Sequence, residues 1–90
     1  MKEIKEASKI AYDYFDKKAG VKGLCAIKDI GNAWVFDCGN PEVIYYGVNP
    51  IAINKDNGTI DIFMPSVENL ERISSAEEVD IPKEYMYKAS

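Results

Sequence analysis

The tripeptide Asp56-Asn57-Gly58 constrains this chain more than any other feature. It lies between two runs of alternating apolar residues, 51–55 and 59–64, and Asn-Gly is the strongest short signal for a β-hairpin. With Asn57-Gly58 as a two-residue loop, Ile53 faces Ile62 and Ile51 faces Met64. Those four side chains then form one apolar face. Asn54 opposes Asp61 on the wet face, beside Ala52 and Phe63.

A second hairpin precedes it. Residues 24–30 and 33–39 flank Gly31-Asn32, another two-residue loop. Symmetric pairing sets Ile27 against Phe36, Asp29 against Trp34 and Cys25 against Cys38. The buried face is therefore expected to carry Cys25, Ile27, Trp34, Phe36 and Cys38. Upstream the period changes. Over residues 3–18, Ile4, Ala7, Ala11, Tyr14, Phe15 and Lys18 recur at the three-and-four spacing of one helical face, and Gly20 stands where a left-handed cap is usual.

Between the hairpins, Gly39-Asn40-Pro41 and Asn49-Pro50 bracket Val43, Ile44, Tyr45 and Tyr46, a short strand or an ordered loop. After the second hairpin, Pro65-Ser66 opens a short helix, with Ser66 as N-cap and Glu68 in its first turn. Val67, Leu70, Glu71 and Ile73 continue it. Residues 74–78 form a polar break. Val79, Ile81, Tyr85 and Met86 mark a tail that packs back without a secondary structure readable from its pattern. The chain reads as one domain, 1–90, with a C-terminal tail at 74–90. The fold class is α+β: an N-terminal helix on one face of an antiparallel sheet of about four strands in two hairpins, followed by a short C-terminal helix.

Composition narrows the chemistry. At 90 residues with 47% apolar and 29% charged, the chain has the make-up of an ordered globular domain. It has no histidine, which removes the commonest general base and metal ligand and every Ser–His or Cys–His nucleophile pair. Two cysteines are too few for a structural zinc site. Their expected cross-strand pairing permits a disulfide geometrically, but in a reducing compartment they act as small buried hydrophobes. Asp29, at the edge of an apolar face, is the one acid with a prospect of a raised pKa, unless the turn end leaves it in water. Asp56-Asn57-Gly58 lacks the regular ligand positions and final glutamate of a calcium loop. No glycine-rich phosphate loop exists. No enzyme activity, cofactor or metal is expected.

The net charge of −4 is uneven: residues 1–54 carry seven lysines against seven acids, and residues 55–90 carry four basic residues against eight acids. Nucleic acid is disfavoured as a partner. No apolar run approaches the ~20 residues of a membrane span, and charges stand where an export signal would be apolar. The expected location is the cytoplasm.

The string NPIAINKDNGTIDIFMPSVENLERI, preceded by Trp34-Val35-Phe36 and an N-terminal amphipathic helix, resembles the YrhB-like family, also called the immunity protein 35 family. The shared elements are Trp34 and Phe36, then Gly47, Asn49, Pro50 and Ile51, then Lys55, Asp56, Gly58 and Ile60, and they span roughly residues 5–73. The resemblance implies a bacterial immunity protein that neutralises a polymorphic toxin domain by direct, non-catalytic binding inside the producing cell. The acidic surplus favours a basic target. The expected partner-binding residues are Tyr45 and Tyr46 in the irregular segment and Glu68, Glu71, Glu77, Glu78 and Asp80 in the acidic stretch. The alternatives are a small-molecule-binding domain of cystatin-like or nuclear-transport-factor-like architecture, its pocket lined by Trp34, Phe36, Tyr45 and Tyr46, or a chaperone-like accessory domain, which needs a sizeable exposed apolar patch.

Overall fold

The computed structural model describes residues 3–43, 45 and 47–88. Helix α1 (Ile4–Ala19) is followed by strands β1 (Leu24–Asp29), β2 (Ala33–Cys38), β3 (Ile51–Asn54) and β4 (Ile60–Ile62), helix α2 (Val67–Ser74) and strand β5 (Glu77–Glu78). A 3-10 turn, Lys83–Tyr85, lies near the C-terminus. The strands form one antiparallel sheet in the order β4-β3-β2-β1-β5. The architecture is the expected α+β one, with a fifth strand contributed by the tail.

Helix α1 lies on the front face of the sheet. Ala7, Ala11 and Phe15 bury against Leu24, Ile27, Trp34, Phe36, Ile51 and Ile53. Small residues at 7, 8 and 11 let the helix approach closely. Buried Ser8 satisfies its hydroxyl by donating to the Ile4 carbonyl at 2.7 Å. The helix ends at Gly20, whose φ of 66° is left-handed; its N–H donates to the Asp16 carbonyl and that of Val21 to the Phe15 carbonyl.

The first hairpin has the expected two-residue loop, with Gly31 at φ 102°. Ile27 pairs with Phe36 and Asp29 with Trp34, as the loop dictates. The expected Cys25–Cys38 pairing is wrong. A β-bulge between Leu24 and Ala26 shifts the register, so Leu24 pairs with Cys38. The bulge puts Leu24 on the core face in place of Cys25, exchanging a small side chain for a large one.

The second hairpin also departs from expectation. Asn54 donates its N–H to the Thr59 carbonyl at 3.0 Å, which leaves a four-residue loop, Lys55 to Gly58. The two-residue alternative needs a positive φ at Asn57, and among the described residues only glycines have one, Gly58 here at 72°. The Asn54 side chain stabilises the longer loop, its Oδ1 accepting the N–H groups of Asp56 and Asn57 at 2.8 and 3.2 Å. The register slips by two: Ile51 pairs with Ile62 and Ile53 with Ile60, in place of Met64 and Ile62, and Asp61 faces Ala52 instead of Asn54. An even slip keeps every side chain on its face.

Beyond β4, α2 begins at Ser66, whose Oγ accepts the Asn69 N–H at 3.1 Å. Residues 63 and 65–73 bring the chain behind the sheet, where Val35, Ala33 and Phe63 bury on the reverse face. The tail then closes the sheet's other edge. Glu78 and Glu77 pair with Lys28 and Asp29, Val79 donates to the Ile27 carbonyl at 2.9 Å, and Tyr87 donates to that of Leu24 at 2.9 Å. Val79, Ile81 and Tyr85 pack against the core, with the Tyr85 ring 5.6 Å from that of Tyr12.

Candidate functional site

Reactive chemistry is sparse in the fold. Among the described residues no three His, Cys, Asp or Glu side chains converge as metal ligands would. Burial, then the Asp37 charge, pushes the Cys25 thiol up to about 11 and the Cys38 thiol up to about 12. Both cysteines are free. A thiol held that far above neutrality is a poor nucleophile.

Asp29 is neither raised by the apolar face nor left to water alone at the turn end; it is shifted down. Its Oδ1 accepts from the Lys55 ammonium at 2.8 Å and from the Gly31 N–H at 2.9 Å. Those two donors, Lys55 first, hold its carboxyl below the usual aspartate range. The Lys55 Nζ also stands 5.2 Å from the centre of the Trp34 ring, and the Lys55 N–H donates to the Asn32 carbonyl at 3.1 Å. The group joins the two hairpin loops, a structural clamp.

The expected partner-binding residues do not form one site. Tyr45 is half-buried, packs against the core and accepts the Asn40 N–H on its hydroxyl at 2.9 Å. Tyr46 lies outside the described residues. Glu68 and Glu71 are exposed on α2 behind the sheet; Glu77 and Glu78 lie at its β5 edge, with Lys28 3.9 Å from Glu78, and Asp80 follows them, exposed. The acids are spread across the reverse face and one edge.

Another surface stands out. Ile62 and Met64, assigned by alternation to the apolar face, are both 55% exposed, and Ile60, which pairs with Ile53, is 38% exposed. That corrects the expectation of an apolar set buried as a whole, since Ile51 and Ile53 are fully buried. Helix α1 rests on β1, β2, β3 and the 3-10 turn. Strand β4 forms the sheet edge on the far side of β3. A cleft of about 290 Å³ lies where Tyr14 and Lys18 of α1 approach Ile62.

The backbone of this edge is open too. In an antiparallel ladder, residues alternate between pairs that exchange both hydrogen bonds and pairs that exchange none. Asn54 bonds to Thr59, and Phe63 donates to the Pro50 carbonyl at 2.8 Å. Thr59, Asp61 and Phe63 are therefore the residues turned toward β3. Ile60 and Ile62 turn their N–H and C=O groups outward. Apolar side chains and free backbone groups coincide on the same residues. Val67 and Leu70 of α2, both largely exposed, follow directly in sequence.

Of the residues expected to line a pocket, Trp34 and Phe36 are buried in the core under α1, and Tyr46 lies outside the described residues. A groove of about 270 Å³ lies instead between α2 and the reverse face, lined by Val35, Pro50, Phe63, Leu70 and Ile73. A third cleft, of about 210 Å³, is bordered by Tyr45, Cys25 and Cys38. The first two volumes stand at the lower end of the ~300–1,000 Å³ of sites that enclose small molecules, and the third lies below it.

In comparisons with known proteins, no family model, no curated protein and no solved structure matches the chain.

Proposed function

We propose that this chain is a non-catalytic protein-binding domain, an immunity protein that silences a bacterial toxin domain by direct association in the cytoplasm of the producing cell. The observation that carries the binding half is the uncovered β4 edge, where Ile60, Ile62 and Met64 are exposed beside outward-turned backbone groups. The edge is short, three residues with Asp61 at its centre, but its exposed isoleucines and outward backbone groups leave it open to pairing. The immunity half rests on the resemblance in residues 5–73. A chain without histidine and with both thiols far above neutrality also has little to offer a reaction.

Interface size extends the contact beyond one strand. A stable complex takes about 800 Å² from each partner, and three edge residues cannot supply it. The cleft beside Ile62, lined by Tyr14, Lys18 and Val48, adds front-face area next to the edge. The exposed Asp61 within β4 favours a basic group opposite it. The small-molecule alternative is less well supported, because the clefts are open and small.

The test is co-expression with a toxin domain encoded beside this gene. Growth should be rescued, and the two chains should elute together as a one-to-one complex. Rescue without association, or association without rescue, refutes the proposal.

A further inference from the structure

We infer that β4 binds its partner by strand addition, taking on its open edge an extended protein segment in which apolar and basic residues alternate. The inference rests on the protein-binding reading and names its mode. An added strand would find four hydrogen-bonding groups already aligned, the N–H and C=O of Ile60 and of Ile62, since the ladder to β3 uses Asp61 and Phe63 instead. Its side chains would alternate between two unlike surfaces. On the front they would meet Ile60, Ile62 and Met64, which call for apolar residues. On the reverse they would meet the exposed Asp61, which calls for lysine or arginine opposite it, with the Arg72 guanidinium 5.8 Å from the Phe63 ring beyond.

The Asp61 charge also disfavours a second copy of this chain as the occupant. Antiparallel self-pairing through β4 would set Asp61 opposite or beside its own counterpart. The opposite edge of the sheet is not equivalent. There β5 and Tyr87 occupy the outward groups of β1.

The experiment is amide hydrogen exchange by NMR on the full chain, alone and with synthetic peptides of about ten residues, a common strand length. One peptide alternates valine and lysine, one has the same composition in two blocks, and one alternates valine and glutamate. In the free protein, Asp61 and Phe63 should be protected while Ile60 and Ile62 exchange freely. The alternating valine–lysine peptide should slow Ile60 and Ile62 by about tenfold or more, and the other two should not. The variant Ile62→Pro, which removes an outward N–H and leaves the β3 ladder intact, should weaken binding about tenfold, whereas Ile62→Thr should weaken it less. Three results overturn the inference: exchange unchanged by the valine–lysine peptide, equal slowing by the valine–glutamate peptide, or protection without peptide that grows with protein concentration. The last would assign the edge to a second copy. A chain that rescues cells from its toxin while these amides stay unprotected by the peptide keeps the binding function and loses strand addition.

Discussion

Replacing Asp29 by asparagine should destabilise the domain by about 1–2 kcal/mol at neutral pH and by much less in acid. The magnitude follows from where the clamp sits. Charge-assisted hydrogen bonds contribute about 1.5–3 kcal/mol when shielded, and exposed ion pairs about 0–1 kcal/mol. The Lys55 and Asp29 side chains are 19% and 29% exposed, between those limits. The amide oxygen of the substituted side chain can still accept the Gly31 N–H, so the loss is confined to the charge interaction with Lys55. Because the folded-state carboxyl is depressed, its stabilisation is fully present above the unfolded aspartate value of about 3.9 and disappears as pH falls through the folded value. Urea denaturation of wild type and Asp29→Asn at pH 7 and then in steps down to about pH 2 should show the two curves converging only at the acid end. A cycle with Lys55→Met should return a coupling of about 1 kcal/mol. A difference that is constant with pH, or that widens as the solution is acidified, refutes the clamp.

Two further perturbations address the tail and the thiols. A Cβ on Gly23 would lie 2.4 Å from the Tyr87 Cα, and φ there is 110°, so Gly23→Ala should cost about 2–3 kcal/mol; loss of protection at the Tyr87 amide would show that the tail has undocked. Cys25, held near 11, should react with iodoacetamide at pH 8 about a hundredfold more slowly than an unperturbed thiol, and Cys38 more slowly still; a rate typical of an exposed cysteine at either position would contradict the burial.

How much of this was legible in the sequence varied with the kind of interaction involved. The switch from helical spacing to alternation placed α1 and both hairpins, because each pattern marks the side of an element that must leave water. The bulge at Cys25 was invisible, since Leu24, Cys25 and Ala26 are all apolar or small and alternation does not choose among them. The second loop went to four residues because Asn54, outside the turn signal, supplies the capping oxygen. Strand β5 is two glutamates in a polar break, and what makes it a strand is the free edge of β1. Of the expected site residues, the glutamates of α2 lie behind the sheet and those of β5 at its far edge, away from the surface now proposed. Tyr45 packs inward through a hydroxyl contact no pattern displays.

Exposure of Ile60 and Ile62 depends on a quantity that alternation does not contain, the width of the covering helix. A helix with its side chains is about 10–12 Å across, and strands are about 4.8 Å apart, so one helix covers about three strands. Four strands carrying front-face apolar residues exceed α1, and the tail packs on the β1 side. Ile51 and Ile62 oppose each other in the ladder, yet one is fully buried and the other more than half exposed. That pair separates folding from binding. Ile51→Ala should cost about 2–5 kcal/mol in stability through the cavity it leaves. Ile62→Thr keeps strand propensity and should change stability by about 0.5 kcal/mol or less, while lowering affinity for the partner. Denaturation and binding titrations on the two variants read both effects. If Ile62→Thr destabilises the fold as Ile51→Ala does, the edge is core and not interface, and the proposed binding surface fails with it.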